Sequence, residues 1–184
     1  MERILPSYPL FVKDPNFSIW MATEELNAQN VETWYGEAKP MYGFLKTKGE
    51  TYCFMGCADK FLPFNVKKAI QKNINVTAFS TDYEFLCGKT TLKLRFVSPL
   101  PLTDLELLSM PVCYMEYEVV GDPTAEISMF VNRNISMLSG ILCIIVPQNR
   151  SLVMEPLFKI VSSYFINYLS FSHRYRNPSG RTVW

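Results

Sequence analysis

The 184-residue chain holds a single histidine, His173. Any Ser–His or Cys–His nucleophile pair would have to use it, and it lies in the least regular part of the sequence. Charge is also scarce. Asp, Glu, Lys and Arg make up 19% of residues, and the net charge is +1. No basic stripe forms, which argues against a nucleic-acid partner. No apolar run reaches the ~18 residues of a membrane-spanning helix. The nearest are GILCIIV (140–146) and LFKIVSSYFINYLSF (157–171), and the second is interrupted by Lys159 and Asn167. The opening MERILPSYPL lacks the apolar stretch of a signal peptide, so a cytoplasmic location is expected. On that reading the N-x-Ser/Thr triplets at Asn16, Asn75, Asn134 and Asn149 are chance matches.

A phosphate-cradling glycine loop is missing too. CGKTT (87–91) looks like the end of one, but Glu84 stands where the upstream glycine would be needed. A hairpin turn explains these residues. The five cysteines (Cys53, Cys57, Cys87, Cys113 and Cys143) are odd in number, and their spacings match no zinc or redox pair. Cys53 and Cys57 bracket Phe54-Met55-Gly56 with no histidine nearby. Buried reduced thiols are expected, with no metal and no cofactor, in a reducing compartment. Glu116 and Glu118 share a strand face two residues apart, which reads as a solvated face rather than an acid/base pair. No catalytic residue is assigned.

What is present is apolar bulk. Hydrophobic residues make up 48% of the chain, enough for one domain with an ordinary core. ATEELNAQNV (22–31) has the makings of one short helix, with Thr23 suited to the N-cap and Glu24 and Glu25 to the first turn. ETWYGEAKP (32–40) reads as a loop bearing two adjacent aromatics. From residue 41 the period becomes two. MYGFLKTKGETYCFMG (41–56) is a hairpin turning at Lys48-Gly49. Residues 75–99 give two or three more strands, with a turn at Cys87-Gly88-Lys89. There Leu92, Leu94 and Phe96 face one way and Lys93 and Arg95 the other. SPLPLTDLELLSMP (98–111), with three prolines, is a long crossover. VCYMEYEVV (112–120), a turn at Gly121-Asp122-Pro123, and AEISMFVN (125–132) resume the strand pattern. The fold expected is mainly β, an antiparallel β-sandwich with one short helix.

After Asn134 the only acidic residue is Glu155, and the strand–turn rhythm fades. PLFKIVSSYFINYLSF fits a helix face or a strand. Residues 1–133 are therefore read as the sandwich and 134–184 as an atypical C-terminal tail, either a genuine extension or aberrant, poorly ordered sequence.

Three stretches in order carry a resemblance. LPSYPLFVKDPNFSIW is similar to the opening of the glutaminase A family. ETWYGEAKPMYGFLKTKGETYCFMG resembles that family's His-Trp-Thr-Gly loop and the hairpin after it. LKLRFVSPLPLTDLELLSMPVCYMEYEV resembles its strand, Ser-Pro-Leu crossover and following strand. Together they span roughly residues 5–133. The resemblance implies an N-terminal β-sandwich region placed before a helical-barrel catalytic region, in enzymes that hydrolyse glutamine to glutamate and ammonia. The chain departs from the pattern at Thr33, where the family has histidine, and at Tyr35, where it has a small polar residue. A helical barrel does not fit into residues 134–184.

The candidate contact residues are Asp14, Trp34, Tyr35 and Gly36, facing either a ligand or the catalytic region. Asp14 also suits a simple cap on the Pro15 turn. Gly36 suits a positive φ or a close backbone approach. Pro15, Phe17 and Trp20 are expected to anchor the N-terminus to the core. The expected partner is the helical-barrel region, and self-association is expected where that partner is missing. The alternative is a free-standing sandwich that binds carbohydrate or peptide on Trp34 and Tyr35. A small stand-alone hydrolase would depend on His173.

Overall fold

A computed structural model describes residues 5–15, 17–110, 112–132, 142–147 and 168–173. The strands in chain order are β1 (Tyr8–Asp14), β2 (Phe17–Met21), β3 (Val31–Thr33), β4 (Ala38–Lys39), β5 (Met41–Thr47), β6 (Glu50–Met55), β7 (Val66–Lys68), β8 (Ile70–Val76), β9 (Ser80–Cys87), β10 (Thr90–Val97), β11 (Val112–Val120), β12 (Glu126–Asn132), β13 (Leu142–Pro147) and β14 (Tyr168–His173). One α-helical turn, α1 (Leu105–Ser109), lies in the crossover, and a 3₁₀ helix spans Ala58–Phe64. The fold is mainly β, as the alternating periods predict.

The strands form three sheets. The first has order β1-β2-β3-β4, the second β14-β12-β5-β6-β7, and the third β13-β11-β10-β9-β8. Most neighbours are antiparallel, but β6 with β7 and β11 with β13 run parallel. The second and third sheets face each other through Phe54 and Phe85, whose ring centroids are 6.1 Å apart. The first sheet covers the same inner face of the third beside them, with Phe11 edge-on to Phe96 at 5.3 Å. On β10, Leu92, Leu94 and Phe96 are buried while Lys93 and Arg95 are exposed. That is the alternation of a half-buried strand. Both expected turns are present. Lys48 and Gly49 take positive φ (49° and 82°), the geometry of a two-residue hairpin turn whose twist suits the strands. Gly88 and Lys89 close the β9–β10 hairpin, which disposes of the phosphate-loop reading of CGKTT.

Two local expectations fail. Residues 22–31 do not form a helix; among the described residues the one α-helix lies instead at Leu105–Ser109. Thr23 Oγ1 donates to the Glu25 carbonyl rather than capping a helix. The backbone around Leu26 and Asn27 is committed elsewhere. Leu26 N donates to Gln71 Oε1 at 3.0 Å, and the Leu26 and Asn27 carbonyls accept from Gly56 N and Ala58 N at 3.1 Å each. Asn27, buried between sheets, donates its amide to the Cys53 and Ala69 carbonyls. These tertiary bonds outweigh a weak local helix preference. The second failure is the loop at 32–40, which is a tight hairpin, β3–β4.

Residues 133–141, 148–167 and 174–184 lie outside the described residues. Two stretches from the last fifty residues, β13 and β14, are strands that extend the third and second sheets. Cys53, Cys87 and Cys113 are buried free thiols. Burial pushes the first two up to about 12 and the third to about 11, so none is a ready nucleophile. Among the described residues no helix is long and apolar enough to cross a membrane.

Candidate functional site at the β3–β4 hairpin

Among the described residues, the most exposed aromatic pair sits on a turn of the first sheet. β3 and β4 pair through Val31 with Lys39 and Glu32 with Ala38, leaving Trp34–Glu37 as the turn. Thr33, almost fully buried, locks its base. Its backbone N donates to the Glu37 carbonyl and its carbonyl accepts from Gly36 N, both at 2.9 Å. Thr33 Oγ1 also accepts from Glu37 N at 3.1 Å. Gly36 has φ +84°, and a side chain there would meet nothing within 4 Å. Glycine is thus needed for its backbone conformation and not for close approach.

The turn is braced further by side chains. Lys39 Nζ lies 2.7 Å from Glu37 Oε1, and the Lys39 side chain is only 5% exposed. The Tyr35 hydroxyl donates to Glu37 Oε2 at 3.0 Å. These two bonds, the lysine's first, hold the Glu37 carboxyl below its usual range. Trp34 is 64% exposed and Tyr35 50%. Their ring centroids are 5.8 Å apart at 86°, an edge-to-face pair. The turn therefore presents two large rings to solvent on a frame fixed by its own hydrogen bonds.

The other candidates sit on the β1–β2 hairpin. Asp14 and Pro15 are exposed at its turn, and Asp14 Oδ1 accepts from Phe17 N at 3.0 Å. That is the capping geometry an aspartate before proline offers. Phe17 and Ile19 are core residues. Trp20 points to the opposite face and is half-buried, with its indole N–H donating to Ser18 Oγ at 2.6 Å. It walls an open apolar groove of about 200 Å³ with Val12, Phe79, Phe96 and Leu100. Trp20, expected as an anchor, is thus half-buried at a surface groove rather than in the core.

Sequence reasoning missed three features. The Glu37–Lys39 clamp was invisible because a buried lysine on a two-residue strand leaves no periodic trace. The crossover exposes Leu102 (81%) and Leu105 (76%), which its prolines had marked only as irregular. The outer face of the second sheet carries Tyr42, Phe44 and Phe130, with Phe61 of the 3₁₀ helix edge-on to the first two at 5.0 Å. The alternation in MYGFLKT contained that signal. His173 ends β14, and its side chain lies outside the described set. Among the described residues no group of three His, Cys, Asp or Glu is placed to hold a metal.

Two family models match the chain, each described as a domain of unknown function: DUF4964 over residues 2–65 and DUF5127 over residues 79–139. They do not correspond to separate structural units, since β5 from the first stretch pairs with β12 from the second. Among curated proteins the chain is similar to glutaminase A of Aspergillus oryzae (strain ATCC 42149 / RIB 40), 24% identical over 145 residues. The match covers 73% of this chain and 20% of the relative, so the chain spans about a fifth of that protein's length. No solved structure matches.

Proposed function

We propose that the chain is a non-catalytic β-sandwich domain of the kind that stands at the N-terminal end of a glutaminase-like hydrolase, where it packs against the catalytic region and shapes it. The observation that carries this reading is the braced β3–β4 turn. Two large rings are held in solvent by a buried lysine, a carboxylate and a buried threonine. A turn that serves only to connect two strands gains nothing from such an arrangement. Exposed aromatics on an ordered turn are suited to desolvation against a partner. The alignment with a fifth of the Aspergillus relative supports the same reading.

The edge-to-face angle of Trp34 and Tyr35 speaks against a shared stacking platform for a flat ligand, which needs coplanar ring faces. It suits insertion into a packed interface equally well. The partner in this reading is the helical-barrel region that the family resemblance implies. Purified chain is expected to release no ammonia from glutamine. Turnover that co-purifies with the protein through successive columns would refute the non-catalytic assignment.

A further inference from the structure

The outer face of the third sheet carries a second concavity, of about 330 Å³, lined by Asn73, Asn75, Asp82, Glu84, Lys93 and Arg95. Strand register sets these side chains in two rows across the sheet. Asn73, Glu84, Lys93 and Glu118 form one, and Asn75, Asp82, Arg95 and Glu116 the other. The cations are already engaged. Arg95 grips Asp82 through Nε and Nη2 at 2.8 and 3.3 Å, and Lys93 Nζ lies 3.1 Å from Glu118. The side chains of Asn73, Asn75 and Glu84 make no hydrogen bond or ion pair among the described residues. Three groups with open hydrogen-bonding capacity thus converge on a hollow whose floor is fixed by ion pairs.

From this we infer a binding site for a neutral, hydroxyl-rich ring, that is, a sugar unit. Two amides and a carboxylate each offer two polar heads, suited to pairs of neighbouring hydroxyls. Four carboxylates against two cations leave the face net negative, which disfavours an anionic ligand, and with Asp82 and Glu118 held by Arg95 and Lys93, two neutral amides and one carboxylate are left to meet a ligand. Tyr83 and Leu94 also border the hollow, but both are core residues and almost fully buried, so neither offers a stacking face. Without stacking the affinity is weak, roughly millimolar. The inference does not depend on the hydrolase reading, since this face is separate from the β3–β4 turn.

The test is titration of ¹⁵N-labelled protein with maltotriose, cellotriose and xylotriose in turn, followed by amide shifts. Saturable shifts are expected at residues 73, 75, 84 and 93 with at least one of these sugars. The double substitution Asn73→Ala with Glu84→Ala is expected to weaken binding about tenfold while the rest of the spectrum is unchanged. Three results would each overturn the proposal: no saturable shift with any of the three up to about 50 mM, shifts centred on Trp34 and Tyr35, or equal binding of a galacturonate trimer.

Discussion

Two hairpin turns of this protein have opposite designs. The Lys48–Gly49 turn between β5 and β6 is fastened to the rest of the molecule. Thr47 Oγ1 donates to Asp122 Oδ2 at 2.6 Å and lies 2.8 Å from Thr90 Oγ1, while Lys48 N reaches the same carboxylate at 3.3 Å. Asp122 also accepts from the Thr124 N and Oγ1. One buried carboxylate thereby ties the connection between β11 and β12 to the β5–β6 hairpin and, through Thr47, to the β9–β10 hairpin, where the second and third sheets meet. The Trp34–Glu37 turn is fastened mainly to its own hairpin, and its rings face water. The first turn contributes stability, and the residues it exposes, Lys48 and Gly49, carry no ring. The second offers a surface at little cost to stability. A residue at a turn is thus informative about function only after its bonds have been traced.

The contrast can be broken at either end, and the largest effect belongs to the fastened turn. Asp122→Ala strands two threonine hydroxyls and two backbone N–H groups, and should cost about 3 kcal/mol in urea unfolding. A cost below about 1 kcal/mol would show that the carboxylate does not tie the sheets. Acid should reach the same site. Hydrogen bonds from Thr124 and then Thr47 hold the Asp122 pKa down at about 2. Its stabilisation is therefore complete above the unfolded carboxylate pKa of about 4 and is lost as pH falls through about 2. Melting temperature should drop over that window, and the drop attributable to this site should vanish in Asp122→Asn.

Effects at the projecting turn are smaller. Gly36→Ala meets no steric obstacle and pays only for positive φ, about 1 kcal/mol. A cost several times larger would mean that the turn is packed more tightly than it stands here. Trp34→Ser with Tyr35→Ser should leave stability within about 0.5 kcal/mol, because exposed rings contribute little to folding. A large loss of stability would make the pair structural and remove its claim as a contact surface.

Much of the sandwich is legible in the sequence because it rests on local rules. LKLRFV alternates, Lys-Gly makes the turn, and the strands from 112 to 132 keep their period. The first sheet and the N-terminal segment were harder. β3 and β4 are three and two residues long, too short to display a period. Residues 22–31 carry helix-like caps, yet their backbone partners, Gln71, Gly56 and Ala58, are distant in sequence. The exposure of Trp34 and Tyr35 is legible from their place beside a glycine in a turn. The brace beneath them was not, because Lys39 reveals its role only once it is seen buried against Glu37.

On the function proposed above, the Trp34–Tyr35 turn docks on the remainder of a glutaminase-like enzyme. The direct test is to co-express this chain with the part of Aspergillus oryzae glutaminase A that lies outside the aligned stretch, and to measure the mass of the co-purified species by light scattering. A one-to-one complex is expected, lost when Trp34 and Tyr35 are both serine and kept in the Asn73→Ala, Glu84→Ala double variant. A complex untouched by the serine pair, or no complex between two folded partners, would contradict it.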